Sequence, residues 1–481
     1  MIGAEASGFT VTLGLFLLFL ALLYYSVYPF SVLQRCGIRH PKPIPFFGNM
    51  MLFRHGFFDA HRDLINQYGR VCYYLGRRPV VVVADPDMLR QVMVKEFQKF
   101  PNRMQKLRAA TKPMTESVLM LRNERWKRVR SILTPSFSAA KMKEMVPLIN
   151  TATETLLNNL KSYAESGESF DIHAFPFLIR PLSFIIPNKS RDEMNGFFIS
   201  CIQKIIKQRD ELPPNQRRRD FLQLMLDVRS SKECVSLENF DVVNHADEQA
   251  EEQPQVAEEA ANGPGSSGDA PKRPQQKRMM TEDEIVGQAF LFLLAGYETS
   301  SNTLAFACYL LAINPDCQEK LQREVDDFFT RHGSADYTNV QELKYLDMVV
   351  CEALRLYPPG FFARDVEEDC VINGQFLPKG ATLDISAGFL HHDPQYWPEP
   401  EKFIPEFTPE AKASRHPFVY LPFGAGPRSC VGMRLAQLEI RMALVNIFKK
   451  FNVVACEDTK LKSSTTLGPK NGIFVKITKR L

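Results

Sequence analysis

The stretch Phe423-Gly424-Ala425-Gly426-Pro427-Arg428-Ser429-Cys430-Val431-Gly432 is a glycine-rich loop that contains a cysteine and leads into a long amphipathic helix. Its three glycines allow the backbone to adopt positive φ or to lie close to a flat group. Cys430 precedes the helix N-terminus, expected near Leu435, where the helix dipole and free N–H groups favour a thiolate. Such a thiolate is a metal ligand or a nucleophile. Arg428 adds a fixed positive charge suited to a carboxylate on a bound ligand.

The composition of the chain limits the classes of protein to which it can belong. It has 481 residues, of which 45% are hydrophobic, so it can bury a large core. Its net charge of +4 is too small to indicate a nucleic-acid partner. Its ten cysteines show neither paired nor C-x-x-C spacing, which is typical of a reducing compartment and not of a disulfide framework.

The N-terminal segment predicts a membrane anchor. No charged residue occurs from Phe9 to Phe30, and roughly 20 apolar residues are enough for a helix to cross a bilayer. Glu5 precedes this run and Arg35, Arg39 and Lys42 follow it, so the positive-inside rule places the rest of the chain in the cytosol. A cleaved signal peptide is the alternative, but the positive start and short apolar run of such peptides are absent. We expect residues 1–30 to be the anchor and residues 31–481 the functional domain.

A long helix is predicted before Asn314-Pro315. Thr281 is a suitable N-cap, and Glu284 completes a capping box. The helix would run to about Ile313 and span roughly 50 Å.

The interior of this helix contains the segment Ala295-Gly296-Tyr297-Glu298-Thr299-Ser300. Gly296 costs up to about 1 kcal/mol relative to alanine, which a flat neighbouring group or a packing notch would explain. Glu298 and Thr299 place an acid and a hydroxyl in an apolar helix, a combination suited to proton delivery.

Two residue pairs elsewhere have helical spacing. Trp126 and Arg130 lie four apart on one predicted face, which fits either an amphipathic surface or a ligand contact. Glu352 and Arg355 lie three apart, a spacing that most often gives a surface salt bridge.

The pattern F-x-x-G-x-R-x-C-x-G from Phe423 to Gly432 resembles the haem-binding loop of the cytochromes P-450. The resemblance implies a mainly α fold, with a large helical domain, a small β-rich part and a single N-terminal transmembrane helix. It also implies haem b as cofactor, with the Cys430 thiolate as the axial ligand of its iron. A cysteine hydrolase is the alternative, but no motif supplies the base that such an enzyme needs.

The same resemblance implies roles for other residues. Cys430, Glu298 and Thr299 would be catalytic, since the A-G-x-[ED]-T segment crosses above the iron in this family. The cofactor-binding residues would be Trp126, Arg130, Ala295, Arg364, Phe423, Arg428, Cys430 and Gly432.

Two stretches depart from the family pattern, and a third has the composition of a linker. Several helices expected in the family have no counterpart near residues 174–187, and residues 230–280 have the composition of a disordered linker. The family motif P-E-R-F reads Pro405-Glu406-Phe407, without the arginine that completes the Glu352–Arg355 pair. Lys402 and Arg415 are the candidates to compensate for its absence.

Scattered stretches, including Phe100 to Met104 and Leu467 to Gly472, resemble the endoperoxide isomerases of this family. The implied reaction converts a prostaglandin endoperoxide, a lipophilic substrate, to thromboxane A, with a side path to a hydroxy fatty acid and malondialdehyde. The implied location is the endoplasmic reticulum membrane. Thr299 favours the alternative of an NADPH- and oxygen-dependent monooxygenase, which would need a reductase partner. The departures favour a third possibility, a membrane-anchored chain without catalysis.

Overall fold

The chain is mainly helical in the part that the computed structural model describes, which is residues 2–55, 57–68, 72–104, 112–171, 189–218, 220–229, 234–235, 276–277, 279–360, 362–406, 415–457, 459, 464–465, 468–469 and 472–480. Its helices are α1 (Ile2–Val27), α2 (Ser31–Arg35), α3 (Phe57–Tyr68), α4 (Pro86–Arg90), α5 (Asn123–Leu133), α6 (Ala139–Ser166), α7 (Lys189–Glu211), α8 (Phe221–Asp227), α9 (Glu282–Ile313), α10 (Pro315–Arg331), α11 (Lys344–Leu356), α12 (Ala387–Leu390) and α13 (Met433–Lys450).

The strands form small sheets. They are β1 (Cys72–Leu75), β2 (Arg78–Val83), β3 (Phe170–Asp171), β4 (Cys234–Val235), β5 (Gln276–Lys277), β6 (Phe362–Asp365), β7 (Cys370–Ile372), β8 (Gln375–Leu377), β9 (Thr382–Ile385), β10 (Phe451–Ala455), β11 (Ser464–Thr465), β12 (Gly468–Pro469) and β13 (Phe474–Lys479). The largest sheet has the order β1-β2-β9-β6, in which β2 and β9 are parallel and the other pairs antiparallel. A second sheet has the order β10-β13-β3.

The ends of α9 confirm the helix predicted from the sequence. The Thr281 hydroxyl accepts from the Glu284 N–H at 3.2 Å, and the Glu284 carboxylate accepts from the Thr281 N–H at 3.1 Å. This reciprocal capping box satisfies two backbone donors that the first turn cannot pair. At the other end, Pro315 is the first residue of α10, where its missing N–H is not needed.

The helical core forms around α9. It is built from α6, α9, α10, α11 and α13, which contribute the fully buried side chains of Met142, Leu311, Phe328, Val349 and Phe448. A separate apolar cluster joins the four-stranded sheet to α4. The cysteine loop connects the two regions, since it leaves the sheet side at Leu421 and enters α13 at Met433.

Helix α1 has the character of a membrane span. The segment Val11–Arg35 has a mean hydropathy of 2.0 and is long and apolar enough to cross a membrane. Its side chains are almost all exposed, unlike those of a buried core helix of the same composition.

Two of the sequence predictions lie largely or wholly outside the described residues. The region near residues 174–187, where the sequence lacks several helices of the family, falls wholly outside them. The predicted linker at 230–280 is described only at 234–235, 276–277 and 279–280.

Candidate functional site

Two glycines shape the cysteine loop. Gly424 has φ +72° and Gly426 has φ +68°, and a Cβ atom on Gly426 would lie 2.0 Å from the Met93 carbonyl oxygen. Any other residue at position 426 would therefore force the loop away from that backbone. The Cys430 N–H donates to the Phe423 carbonyl at 2.9 Å, which closes the loop.

Helix α13 begins two residues earlier than the sequence analysis predicted. Gly432 is the N-cap of α13, whose first residue is Met433, so the expected start near Leu435 was wrong by two residues. The difference arises because Gly432 adopts a cap conformation (φ −90°, ψ 11°) with no side-chain cap, a feature that propensity does not reveal.

The protein around Cys430 affects the pKa of its thiol. Its residue surface is exposed, yet the sulfur is surrounded by protein on most sides, so the burial raises the pKa of the thiol. The Gly432 N–H and the positive charges of Arg130 and Arg103 oppose this effect but do not overcome it. The N–H group at the start of α13 therefore favours the thiolate, as expected, but its effect is smaller than that of burial. A cation bound at the sulfur would supply the missing stabilisation, because a coordinating thiol is deprotonated.

Arginine side chains converge beside the cysteine. Arg103, Arg130, Arg364 and Arg428 come from distant parts of the chain, and burial together with mutual repulsion lowers the pKa of each except Arg103, where burial alone does so. Within the described residues, none of the four forms an ion pair with a carboxylate, and the Nε atoms of Arg103, Arg130 and Arg364 have no hydrogen-bond partner. Buried cations require compensation, so this cluster fits an anionic ligand.

The sequence analysis predicted that Arg428 binds a ligand, but most of its hydrogen-bond donors are used by the backbone. Its guanidinium group donates to the carbonyls of Pro101, Val118 and Leu121 at 2.9, 3.2 and 3.0 Å. It also lies 3.8 Å from the centre of the Trp126 ring. Three of its five donors are therefore used by the backbone, and only the remaining donors can face a ligand.

Sequence reasoning missed Arg103. Its Nη2 atom donates to the Arg428 carbonyl at 3.0 Å, which ties it to the cysteine loop two residues before Cys430. The stretch Phe100 to Met104, which resembles the endoperoxide isomerases, contains Arg103, but its partners in the cluster are more than twenty residues away in the sequence. Arg130 and Arg364 were predicted, and the structure places both within the cluster, 5% and 1% exposed.

The middle of helix α9 forms an open wall. Ala295 and Gly296 are exposed although the helix is buried at both ends, and no atom lies within 4 Å of a Cβ placed on Gly296. This excludes the packing-notch explanation for Gly296 within the described structure. The Thr299 hydroxyl donates to the Ala295 carbonyl at 2.7 Å, so its proton is used within the helix.

A buried carboxyl group connects α9 to α13. The Glu439 carboxylate lies 3.4 Å from the Ser300 hydroxyl, and burial raises its pKa to about 7. The Ser300 contact opposes the shift only partly. The helix that follows Cys430 is thus joined to the helix that forms the wall.

The Glu352–Arg355 pair is buried and hydrogen-bonded to the surrounding backbone. The two side chains make parallel contacts of 2.8 and 2.7 Å, and both are almost fully buried. Arg355 also donates to the carbonyls of His391, Pro400 and Lys402. The Ile404 N–H donates to Glu352 at 3.1 Å. This is a buried network and not a surface salt bridge.

Of the two candidates to compensate for the missing arginine, Arg415 is the one whose charged group interacts with the Glu352–Arg355 pair. Its guanidinium carbon lies 4.1 Å from the centre of the Trp397 ring, which Arg355 also approaches, at 5.1 Å. The charges of Glu352 and Arg355 both act on the pKa of Arg415, in opposite directions, and burial lowers it. The Lys402 ammonium group instead pairs with exposed Glu399. Glu406 pairs with Lys320 at 2.5 Å on the surface.

These features together define a site for a flat, iron-containing anion. An exposed cysteine lies beside buried guanidinium groups, and an open stretch of helix α9 contains a glycine. A haem group has the matching parts, which are an iron, two carboxylates and a planar ring. The protein is thus of the haem-thiolate class, and the chain belongs to the cytochrome P450 family, whose model matches residues 38–178 and 268–480. The cofactor of this family is haem b with a cysteine thiolate on its iron.

Comparison with individual relatives shows which members of the family the chain resembles. The chain is 44% identical over 537 aligned positions to thromboxane-A synthase from Sus scrofa, with 99% of this chain and 98% of that protein covered. The same enzyme from Macaca fascicularis is 44% identical over 536 positions, with the same coverage. Cytochrome P450 3A13 from Mus musculus is 34% identical over 490 positions, with 96% of this chain and 95% of that protein covered.

Proposed function

We propose that the chain is a haem-thiolate isomerase that converts a prostaglandin endoperoxide to thromboxane A, with fragmentation to a hydroxy fatty acid and malondialdehyde as a side path. The observation that supports this most directly is the near-complete coverage of thromboxane-A synthases at 44% identity by a chain whose cysteine site fits haem. The reaction conserves all atoms of the substrate, so it needs no external reductant.

Within this proposal, Cys430 holds the iron, and Arg103, Arg130 and Arg364 bind the carboxylates of the cofactor through donors that are free in the described structure. Trp126 and Arg428 stack on each other and position the same region, while Phe423 and Gly432 fix the loop through its backbone. When bound, the thiolate-ligated iron supplies the one-electron chemistry that opens a weak O–O bond.

The wall of α9 would contact the substrate. Ala295 and Gly296 offer only small apolar groups, which suits a reaction whose selectivity depends on excluding water and on shape. Glu298 and Thr299 would border the same space. The Thr299 hydroxyl donates to the Ala295 carbonyl, and the proposed isomerisation has no step that needs its proton.

The second candidate is a monooxygenase of lipophilic substrates. The observation that favours it is the 34% identity to cytochrome P450 3A13, together with the presence of a threonine at position 299. This function would require NADPH, molecular oxygen and a reductase.

We also propose that the protein is a single-pass protein of the endoplasmic reticulum membrane, with residues 1–30 as anchor and the catalytic domain, residues 31–481, in the cytosol. The apolar segment Val11–Arg35 and the basic residues that follow Phe30 support this arrangement. The lipophilic endoperoxide would reach the site from the membrane. Protease treatment of sealed microsomes should digest the domain; full protection of the domain would contradict this orientation.

The decisive experiment incubates the full chain, expressed in membranes, with the endoperoxide under anaerobic conditions and without NADPH. Formation of thromboxane A, or of its stable hydrolysis product, is expected. The C430S variant should lose both this activity and the red-shifted Soret band of the reduced, carbon monoxide-bound haem. C456S is the matched control, because Cys456 lies outside the loop, in contact with Thr459.

The other outcomes separate the alternatives. Product that appears only with NADPH, oxygen and reductase would identify a monooxygenase. An expressed chain with no haem band at all would indicate a non-catalytic protein. Either result would overturn the proposal.

A further inference from the structure

His391 is a buried side chain that neither the sequence motifs nor the proposed function includes. It follows α12 and has no exposed surface. Its ring is hydrogen-bonded through both nitrogen atoms. Nδ1 lies 3.2 Å from the Arg355 carbonyl oxygen, and Nε2 accepts from the Leu421 N–H at 2.8 Å.

The two partners fix the protonation state of the imidazole. A carbonyl oxygen can only accept, so Nδ1 must have a hydrogen, and a backbone N–H can only donate, so Nε2 must have none. His391 is therefore the neutral Nδ1–H tautomer. Burial lowers its pKa to about 3, with the charge of Arg355 acting in the same direction, so this state persists across the physiological range.

The bond between His391 and the Leu421 N–H matters because Leu421 lies at the start of the cysteine loop. Leu421 begins the turn into the cysteine loop, and its carbonyl accepts from the Gly424 N–H at 3.2 Å. The Phe423 carbonyl, two residues on, accepts from the Cys430 N–H. The Leu421 N–H bond to His391 thus holds one end of the segment whose other end is fixed at Cys430.

Hydrogen bonds to Arg355 fix the Nδ1 side of the His391 ring and the His391 backbone. Arg355 donates from its guanidinium group to the His391 carbonyl at 2.8 Å and accepts from the imidazole through its own carbonyl. This reciprocal pair joins the end of α11, through Arg355 and its bidentate partner Glu352, to the imidazole. The Tyr420 ring, 5.3 Å from the imidazole, covers it.

We propose that His391 is a positioning residue, which transmits the fixed position of the Glu352–Arg355 pair to the loop that presents Cys430. Its Nε2 atom is the functional acceptor, and the partner is the backbone of Leu421. This inference uses only the thiolate-ligation part of the proposed function and is independent of the substrate.

Substitution of His391 by glutamine or by asparagine tests its bonds to Leu421 and Arg355 separately. In H391Q, the longer amide places an oxygen near the former position of Nε2, where it can accept from Leu421. In H391N, the shorter amide places its nitrogen near the former Nδ1 and donates to Arg355, but it does not reach Leu421. H392N is the matched control, since the neighbouring imidazole contacts the Gly388 carbonyl.

The first measurement is hydrogen exchange of the Leu421 amide in the full, haem-loaded chain. We expect H391N to exchange this amide about tenfold faster than the original chain, since a buried hydrogen bond is lost. H391Q and H392N should remain within about threefold. A peptide from α10, distant from the loop, should exchange equally in all four proteins and so report on global stability.

The second measurement is the Soret band of the reduced, carbon monoxide-bound haem. In H391N, the band of thiolate-ligated haem should convert to that of haem without the thiolate about tenfold faster on mild heating. H391Q should resemble the original chain.

The outcomes distinguish this inference from the proposed function. If the original chain shows no thiolate band, the haem assignment itself fails. If it shows the band and H391N retains both the band and Leu421 protection, the positioning role is wrong. The same conclusion follows if H391Q loses the band as completely as H391N, because the acceptor at Nε2 would then not be the cause.

Discussion

The guanidinium group of Arg428 lies 3.8 Å from the centre of the Trp126 ring, and both side chains are buried. Trp126 belongs to α5, and Arg428 lies two residues before Cys430. The contact therefore ties a helix from the first third of the chain to a loop near its C-terminus.

From this contact we expect R428Q to destabilise the protein and to reduce haem retention. Removal of the guanidinium group leaves the carbonyls of Pro101, Val118 and Leu121 without their donor, at a cost on the order of 3 kcal/mol. Thermal unfolding of the haem-loaded protein measures the loss. R323Q is the control, because Arg323 is exposed on α10 and a surface change should stay within about 0.5 kcal/mol. Equal effects of the two substitutions would contradict this explanation.

The arginine cluster gives a prediction about cofactor affinity. Arg103, Arg130 and Arg364 repel one another in the chain alone, so each single substitution to glutamine should relieve repulsion before haem binds and remove attraction afterwards. We expect R103Q, R130Q and R364Q each to weaken haem binding about tenfold or more while leaving the haem-free chain equally or more stable. Haem titration and thermal unfolding measure the two effects. A loss of stability without a loss of affinity would indicate that these arginines are structural.

The same cluster shows what sequence can and cannot predict here. The cysteine loop and the Thr281 capping box were predicted because their signals are local, a set of residue types within ten positions or a pair three apart. Arg103 was missed because its neighbours are Arg130, Arg364 and Arg428, brought together only by the fold. The raised pKa of Cys430 could not be predicted for a related reason. Helix position is visible in a sequence, but the burial that dominates the pKa is not.

Thr299 distinguishes the two candidate enzymes. Its hydroxyl donates to the Ala295 carbonyl, and an isomerase has no step that requires a proton from it. We therefore expect T299A to keep the endoperoxide isomerase rate within about twofold, while any oxygen-dependent hydroxylation would fall by tenfold or more. T303A is the control, since Thr303 donates in the same way to the Thr299 carbonyl but is buried. A large loss of isomerase activity in T299A alone would refute the assignment of Thr299 as dispensable.

Glu439 should make stability depend on pH. Its folded pKa of about 7 exceeds its ordinary value of 4.5, so the folded state binds the proton more tightly than the unfolded state does. Stability therefore falls as pH rises from 4.5 to 7, and the full penalty, on the order of 1–3 kcal/mol, remains above pH 7. The E439Q variant should thus be more stable than the original chain at pH 8 and similar to it near pH 4.5.

Unfolding by urea at several pH values tests this sign directly. E165Q is the control with the opposite sign, because contact with Lys479 lowers the pKa of Glu165 in the folded state. E165Q should show no gain at pH 8. If E439Q instead lost stability at pH 8, the ionised carboxylate would be a favourable partner of Ser300, and the burial argument would be wrong.

Arg415 supplies the last prediction, which concerns the short Pro405-Glu406-Phe407 segment. Arg415 and Arg355 both contact Trp397, and the charge of Glu352 attracts Arg415 while that of Arg355 repels it. If Arg415 supplies the positive charge that the family pattern places after Glu406, R415Q should lower haem retention, and inserting an arginine between Glu406 and Phe407 should restore it. The same insertion in the original chain should have little effect, because the network is already balanced. Haem content per chain, measured in all four proteins, gives the coupling between the two changes. Additive effects would mean that Arg415 acts only by packing on Trp397, and R415K, which keeps the charge but loses the planar stacking, would then be as defective as R415Q.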